Sequence, residues 1–134
     1  MKMKFFEKAK AASEMSDYKR IKIGAVIVYK NRVVSVGWNT TKTNPLQKSL
    51  NHLRFKADEY CASLHAEMMA FLRLPYGLDH RNLSIYVYRE NRFGELRMSR
   101  PCPSCMSKIK ELGINNIYYT STDGGYCHER LVYE

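Results

Sequence analysis

Acidic side chains are scarce in this chain: 13 Asp and Glu stand against 22 Lys and Arg in 134 residues, a formal net charge of +9 with a pI near 9.5. A balance this basic implies an anionic partner. No segment approaches the ~20 consecutive apolar residues that a membrane-spanning helix needs. The opening stretch from Met1 to Lys8 also has no uninterrupted apolar run of the signal-peptide kind. The expectation is therefore a soluble protein of the cytoplasm with no membrane partner. There are no internal repeats and no low-complexity tracts. At this length there is no room for a second domain, so residues 1–134 are expected to form one domain, with 45% apolar and 12% aromatic residues to build its core. Cysteine is limited to four residues, and in a chain without export signals these read as metal or thiol chemistry before disulfides.

A second Cys-x-x-Cys pair, the usual mark of a structural zinc site, is missing as well. What stands in its place is His65-Ala66-Glu67, followed after 33 intervening residues by Pro101-Cys102-Pro103-Ser104-Cys105. This is an inventory of three metal ligands and one carboxylate that need not be a ligand. Structural zinc is closed by four protein ligands, whereas hydrolytic zinc keeps three and leaves the fourth position to water. His65, Cys102 and Cys105 are the expected ligands, and Glu67 is better placed as a base. The rival is a structural knuckle closed by His52, Cys61 or His128.

The spacing is intelligible if both motifs open helices. Cys102 and Cys105 lie three apart on the expected first turn of a helix running to about Leu112, so both thiols can face one ion. Pro101 and Pro103 suit a helix start, where a missing N–H costs nothing, and the positive helix end favours thiolate. His65 and Glu67 are two apart, which separates them in mid-helix but not at a helix N-terminus. Ser63 or a neighbour is the expected cap of a helix over roughly His65 to Leu74. Two helix starts converging on one zinc is the inferred geometry.

His-x-Glu followed by Pro-Cys-x-x-Cys resembles the signature of zinc-dependent nucleobase deaminases at every specified position. Three further stretches extend the likeness. Ile23 to Val28, the Lys30-Asn31-Arg32 turn and Val33 to Asn39 resemble an opening hairpin, and Ile85 to Tyr88 and Gly113 to Tyr119 resemble the next two strands. The chain is thus similar to the cytidine deaminase superfamily from about Ile21 to Thr122, most closely its deoxycytidylate deaminase and tRNA adenosine deaminase branch. The resemblance implies a three-layer α/β/α fold around a mixed sheet of about five strands. It implies Zn2+ on His65, Cys102 and Cys105, Glu67 as proton shuttle, Asn39 at the sugar and the Ala66 backbone at the base. Ser99 and Arg100 depart from the better-known branches just where other residues help select the base, which makes them candidate substrate contacts of this chain's own. Homo-oligomers are also implied, because related deaminases commonly complete their pockets with a neighbouring subunit.

The remaining elements follow from pattern. A helix is expected from about Met3 to Glu14 with Phe5, Phe6 and Ala9 inward, then strands over 22–29 and 32–38. Thr40 to Tyr60 reads as a long loop, and Pro75-Tyr76-Gly77 as a stop. Further strands are expected at 84–89 and 115–121, with a turn around Arg92-Phe93-Gly94 between them. Asp123-Gly124-Gly125 then turns into a last strand from Tyr126 to Tyr133, which returns antiparallel because too few residues remain for a crossover helix. Cys61 and Cys127 have no assigned role.

Charge distribution bears on the substrate. Residues 1–32 carry 9 basic and 3 acidic side chains, and Lys42, Lys48, Arg54 and Lys56 share a loop with no acid before Asp58. A nucleotide phosphate needs about two such cations, and a polynucleotide a stripe of them interleaved with aromatics. The preferred expectation is hydrolytic deamination of a cytosine nucleotide such as deoxycytidylate, dCMP to dUMP plus ammonia. The alternatives are a polynucleotide deaminase acting on tRNA adenosine or single-stranded DNA or RNA cytosine through the basic surface, and a non-catalytic zinc-containing binding module.

Overall fold

The computed structural model describes residues 2–18, 21–41, 65–79 and 82–132. The long loop expected from Thr40 to Tyr60, together with Ser63, Cys61 and His52, lies almost wholly outside them; Thr40 and Thr41 are described.

Five strands form one mixed sheet: β1 (Lys22–Tyr29), β2 (Arg32–Trp38), β3 (Leu83–Glu90), β4 (Asn116–Thr120) and β5 (Tyr126–Arg130). Their order is β2-β1-β3-β4-β5, antiparallel except between β3 and β4. Lys30 and Asn31 make the tight β1–β2 turn with φ of 47° and 66°, the left-handed pair a two-residue hairpin requires. The run Gly24-Ala25-Val26-Ile27-Val28 does not alternate in polarity, because β1 lies between two other strands and is covered on both faces.

Three helices cover that sheet among the described residues: α1 (Met3–Ser13), α2 (Ala66–Leu72) and α3 (Pro103–Leu112). Phe5, Phe6 and Ala9 of α1 pack on Val26, Val28, Tyr86 and Tyr88, as the sequence predicts for that helix. On the opposite face Ala25, Ile27, Ile85, Val87 and Ile117 meet Met68, Ala70 and Phe71 of α2 and Met106 and Ile109 of α3. Three layers result. The parallel pair β3–β4 is joined through α3, while β5 returns antiparallel after the turn at 123–125, in keeping with the short connection.

Several boundaries move inward from the expected ones. The last strand ends at Arg130 where the pattern predicts Tyr133, which lies outside the described residues. Helix α2 begins at Ala66, with His65 in the cap position, and closes at Leu72 instead of Leu74, two residues short of the residue that Pro75 excludes from helical backbone. Gly113, at φ 80°, ends α3 and lets the Ile114 N–H reach the Ile109 carbonyl at 3.2 Å. No helix among the described residues is long and apolar enough to cross a membrane.

Candidate metal centre

The two helices on one face of the sheet bring their N-termini together. His65 caps α2 in extended conformation (ψ 155°) and Cys102 caps α3 in the same way (ψ 168°), and neither makes a side-chain capping hydrogen bond. Cys102 therefore sits before the first turn rather than on it. The cause is Pro103, whose ring excludes the preceding residue from helical backbone. Cys105 follows as the third helical residue and is fully buried.

The ligand atoms of His65, Cys102 and Cys105 lie within 4.8 Å of one another, and the His65 Nδ1 is 3.5 Å from each Sγ. Zinc–nitrogen and zinc–sulfur bonds of about 2.0–2.1 and 2.3 Å meeting at the tetrahedral angle would set nitrogen and sulfur ~3.5 Å apart. The spacing fits zinc. No fourth His, Cys, Asp or Glu joins the group among the described residues. His128, a rival fourth ligand, lies exposed on β5 with its Nε2 2.9 Å from the Asn116 Oδ1.

The thiols differ sharply in acidity. A hydrogen bond from Cys105, helped by His65 and by Ser104 (Oγ 3.1 Å away), overcomes burial and lowers the Cys102 thiol to about 3. The same bond and its own burial, with Glu67 nearby, hold Cys105 well above the ordinary thiol range. The metal-free pair is thus one thiolate sharing the proton of one thiol, and a cation would replace that proton. Glu67, in the first turn of α2, is buried, and burial raises its carboxyl despite the pull of His65. Its carboxyl reaches the Cys105 thiol, so it stands at the edge of the ligand triangle without belonging to it.

Helix α2 is held against β2 by a close approach. A Cβ on Gly37 would fall 2.1 Å from the Ala66 carbonyl oxygen and 2.6 Å from the Ala70 N, so only glycine admits the helix there. The Ser35 hydroxyl donates to the Ala70 carbonyl at 2.5 Å, and the Arg73 guanidinium lies 4.9 Å from the Trp38 ring centroid. Gly37 was readable as a glycine inside a strand, but its partner was not.

The other expected site residues have structural engagements. Ala66 is fully buried as the first residue of α2. The Asn39 amide donates to the Ile21 carbonyl (2.8 Å) and accepts from the Ile23 N–H (2.9 Å), tying the end of β2 to the start of β1. The Ser99 hydroxyl donates to the Val87 carbonyl (2.9 Å), accepts from the Thr120 N–H (2.8 Å) and touches the Thr120 Oγ1 (2.9 Å). Thr120, fully buried, in turn donates to the Arg97 carbonyl at 2.7 Å. This node anchors the chain just before Cys102, and the sequence offers no local signal for Thr120 because its partners are 21 and 23 residues away. Arg100 pairs with Glu129 of β5 through Nε (2.5 Å) and Nη2 (3.2 Å). Cys127, half-buried on β5, stays unassigned.

Residues 1–121 match the family model for the cytidine and deoxycytidylate deaminase zinc-binding region. The chain belongs to that family. Its members' zinc-binding region is the one His65, Cys102 and Cys105 form here, and zinc is the cofactor. Among this deaminase's relatives, an uncharacterized deaminase in the luxG 3′ region of Aliivibrio fischeri is 29% identical over 115 residues, covering 86% of this chain and 69% of that one. A deoxycytidylate deaminase of Schizosaccharomyces pombe is 30% identical over 124 residues, 86% of this chain but only 35% of the yeast enzyme. The fold is shared with a cytidine deaminase from Burkholderia pseudomallei (TM-score 0.66, 23% identity, 97% and 92% of the two chains). It is shared too with the dCMP deaminase of cyanophage S-TIM5 in complex with dCMP and dUMP (TM-score 0.60, 23% identity, 89% and 82%).

Proposed function

We propose that this family member hydrolyses the exocyclic amino group of a cytosine nucleotide such as deoxycytidylate, releasing ammonia and leaving a uracil nucleotide. The observation that carries the reading is a three-residue ligand triangle with a buried carboxyl beside it and no fourth ligand among the described residues. That arrangement suits hydrolysis better than a structural knuckle or a binding module, neither of which needs Glu67. A deoxycytidylate deaminase among the relatives and a structural neighbour crystallised with dCMP and dUMP support the substrate.

When bound, zinc supplies the Lewis acidity that makes water a nucleophile at neutral pH. Glu67 would take a proton from a water molecule whose oxygen adds to the ring carbon bearing the amino group. It then gives a proton to the ring nitrogen and assists departure of the amino group as ammonia, so the C–N bond breaks and a carbonyl remains. The apolar packing of α2 and α3 excludes bulk water around the carboxyl and keeps it a competent proton carrier. Substrate contacts by Asn39, the Ala66 backbone, Ser99 and Arg100, and assembly into homo-oligomers, are part of the proposal. Arg100 would meet a substrate in competition with Glu129.

The net charge of +9 favours one second reading, a polynucleotide substrate whose target base is unstacked into the pocket. A panel of cytosine, adenine and guanine nucleosides, nucleotides and oligonucleotides, read by product mass, separates the two. Replacement of NH by O adds about one mass unit to the true substrate. We expect deoxycytidylate to be converted and Glu67→Ala to abolish ammonia release with its zinc content intact. Conversion of oligonucleotides alone would transfer the assignment to the second reading, and full activity in Glu67→Ala would remove the mechanism.

A further inference from the structure

One carboxylate outside the metal centre is engaged with unusual completeness for an exposed group. Asp17 lies four residues beyond the end of α1. Its Oδ1 accepts from the Thr41 backbone N–H at 2.9 Å, and its Oδ2 accepts from the Thr41 hydroxyl at 2.7 Å and the Thr40 hydroxyl at 3.3 Å. These bonds favour the ionised form and lower its pKa below the ordinary carboxylate value.

What they fasten is the stretch directly after β2. Thr40 and Thr41 follow Asn39, whose own N–H donates to the Ile23 carbonyl while its side chain holds the Ile21 carbonyl and the Ile23 N–H. Asp17, Ile21 and Ile23 are therefore stitched to residues 39–41 by six hydrogen bonds, three accepted by Asp17 and three made by Asn39. This seam lies at the metal end of the sheet. Gly37 touches Ala66 across from it, and Asn39 is two residues further along, about 7 Å at the rise of a strand. A strand end left to itself frays, since its last N–H and C=O groups have only water as partners. Asp17 accepts from the Thr41 N–H and from the Thr40 and Thr41 hydroxyls at the point where the chain leaves the sheet.

We infer that Asp17 is a positioning residue for deamination, fixing Asn39 to Thr41 as one rigid wall of the substrate pocket. The inference rests on the reading of Asn39 as a substrate contact. It places the binding part of the site on two independent supports. The helix starts hold the metal and Glu67, while the Asp17 seam holds the wall.

The two supports separate in kinetics. Removing the seam should weaken substrate and transition state alike, because the wall contacts both, and leave the chemistry intact. In Asp17→Ala we expect KM for the substrate found in the nucleotide panel to rise about tenfold with kcat within about twofold of wild type. Zinc should remain at wild-type stoichiometry, and amide exchange at Thr41 should quicken. Asp17→Asn keeps an acceptor for the Thr41 N–H and should recover part of the lost KM. An unchanged KM in Asp17→Ala overturns the role, as does a fall in kcat that tracks loss of zinc, which would make Asp17 a general stabiliser. A wild-type protein that converts nothing in the panel overturns the deaminase reading and this role with it. An active wild type with an unaltered Asp17→Ala variant overturns the role alone.

Discussion

Two thiols three residues apart end in opposite protonation states, and the difference sets how this protein takes up metal. Cys102, lowered to about 3, is a thiolate at any working pH, whereas Cys105 is held well above the ordinary thiol value and carries its proton. Zinc uptake must then displace one thiol proton, so affinity rises with pH, about tenfold per unit for each proton released. A competition titration between about pH 7.5 and 8.5 should give a slope of one. A slope of two would mean that both thiols are protonated before binding. Glu67 shifts in the same direction as Cys105 because burial opposes its charge. The metal-binding trio was readable from His65, Cys102 and Cys105 alone, because ligand chemistry restricts residue type. The unequal acidities were not, since they come from the way folding turns the two thiols into one hydrogen bond and from their burial.

Helix starts matter more here than helix bodies. His65 and Cys102 occupy cap positions without a side-chain capping hydrogen bond, and both side chains turn toward the same ligand triangle. Placing Cys102 inside the first turn misses one local rule, the effect of Pro103 on the residue before it. Gly37 and Gly24 make a matched pair for testing what sets the position of α2. A Cβ on Gly24 would meet the Ala9 carbonyl oxygen at 1.9 Å and the Ser13 N at 2.5 Å, a close approach by α1 on the face away from the metal. Gly37→Ala and Gly24→Ala should each destabilise the fold by about 1–3 kcal/mol through overpacking. Only Gly37→Ala should weaken zinc binding, by tenfold or more, because it displaces His65 and Glu67 together. Equal zinc affinity in the two variants, measured at matched residual stability, would dissociate α2 packing from the metal centre.

For the molecule as a whole, charge and topology make separate statements. A net charge of +9 attracts any polyanion, but a mononucleotide needs few of those cations. If the proposed substrate is right, KM for deoxycytidylate should change only a few-fold between about 50 and 200 mM salt, whereas a polynucleotide held by 6–10 phosphate contacts would lose about 10³–10⁵ in affinity. Steady-state kinetics at the two ionic strengths checks this. The strand pair 22–29 and 32–38, the inward face of α1 and the antiparallel return of β5 were all legible in advance, because polarity period, left-handed turn residues and connection length are local quantities. Residue types and spacing likewise named the metal ligands. Tertiary contact alone assigned Ser99 and Thr120 to a buried node, Asn39 and Asp17 to a seam, Arg100 to Glu129 and Gly37 to the seat of α2. Each of those roles depends on a partner 12 to 33 residues away, and no pattern along the chain states which distant groups folding will bring within hydrogen-bonding reach.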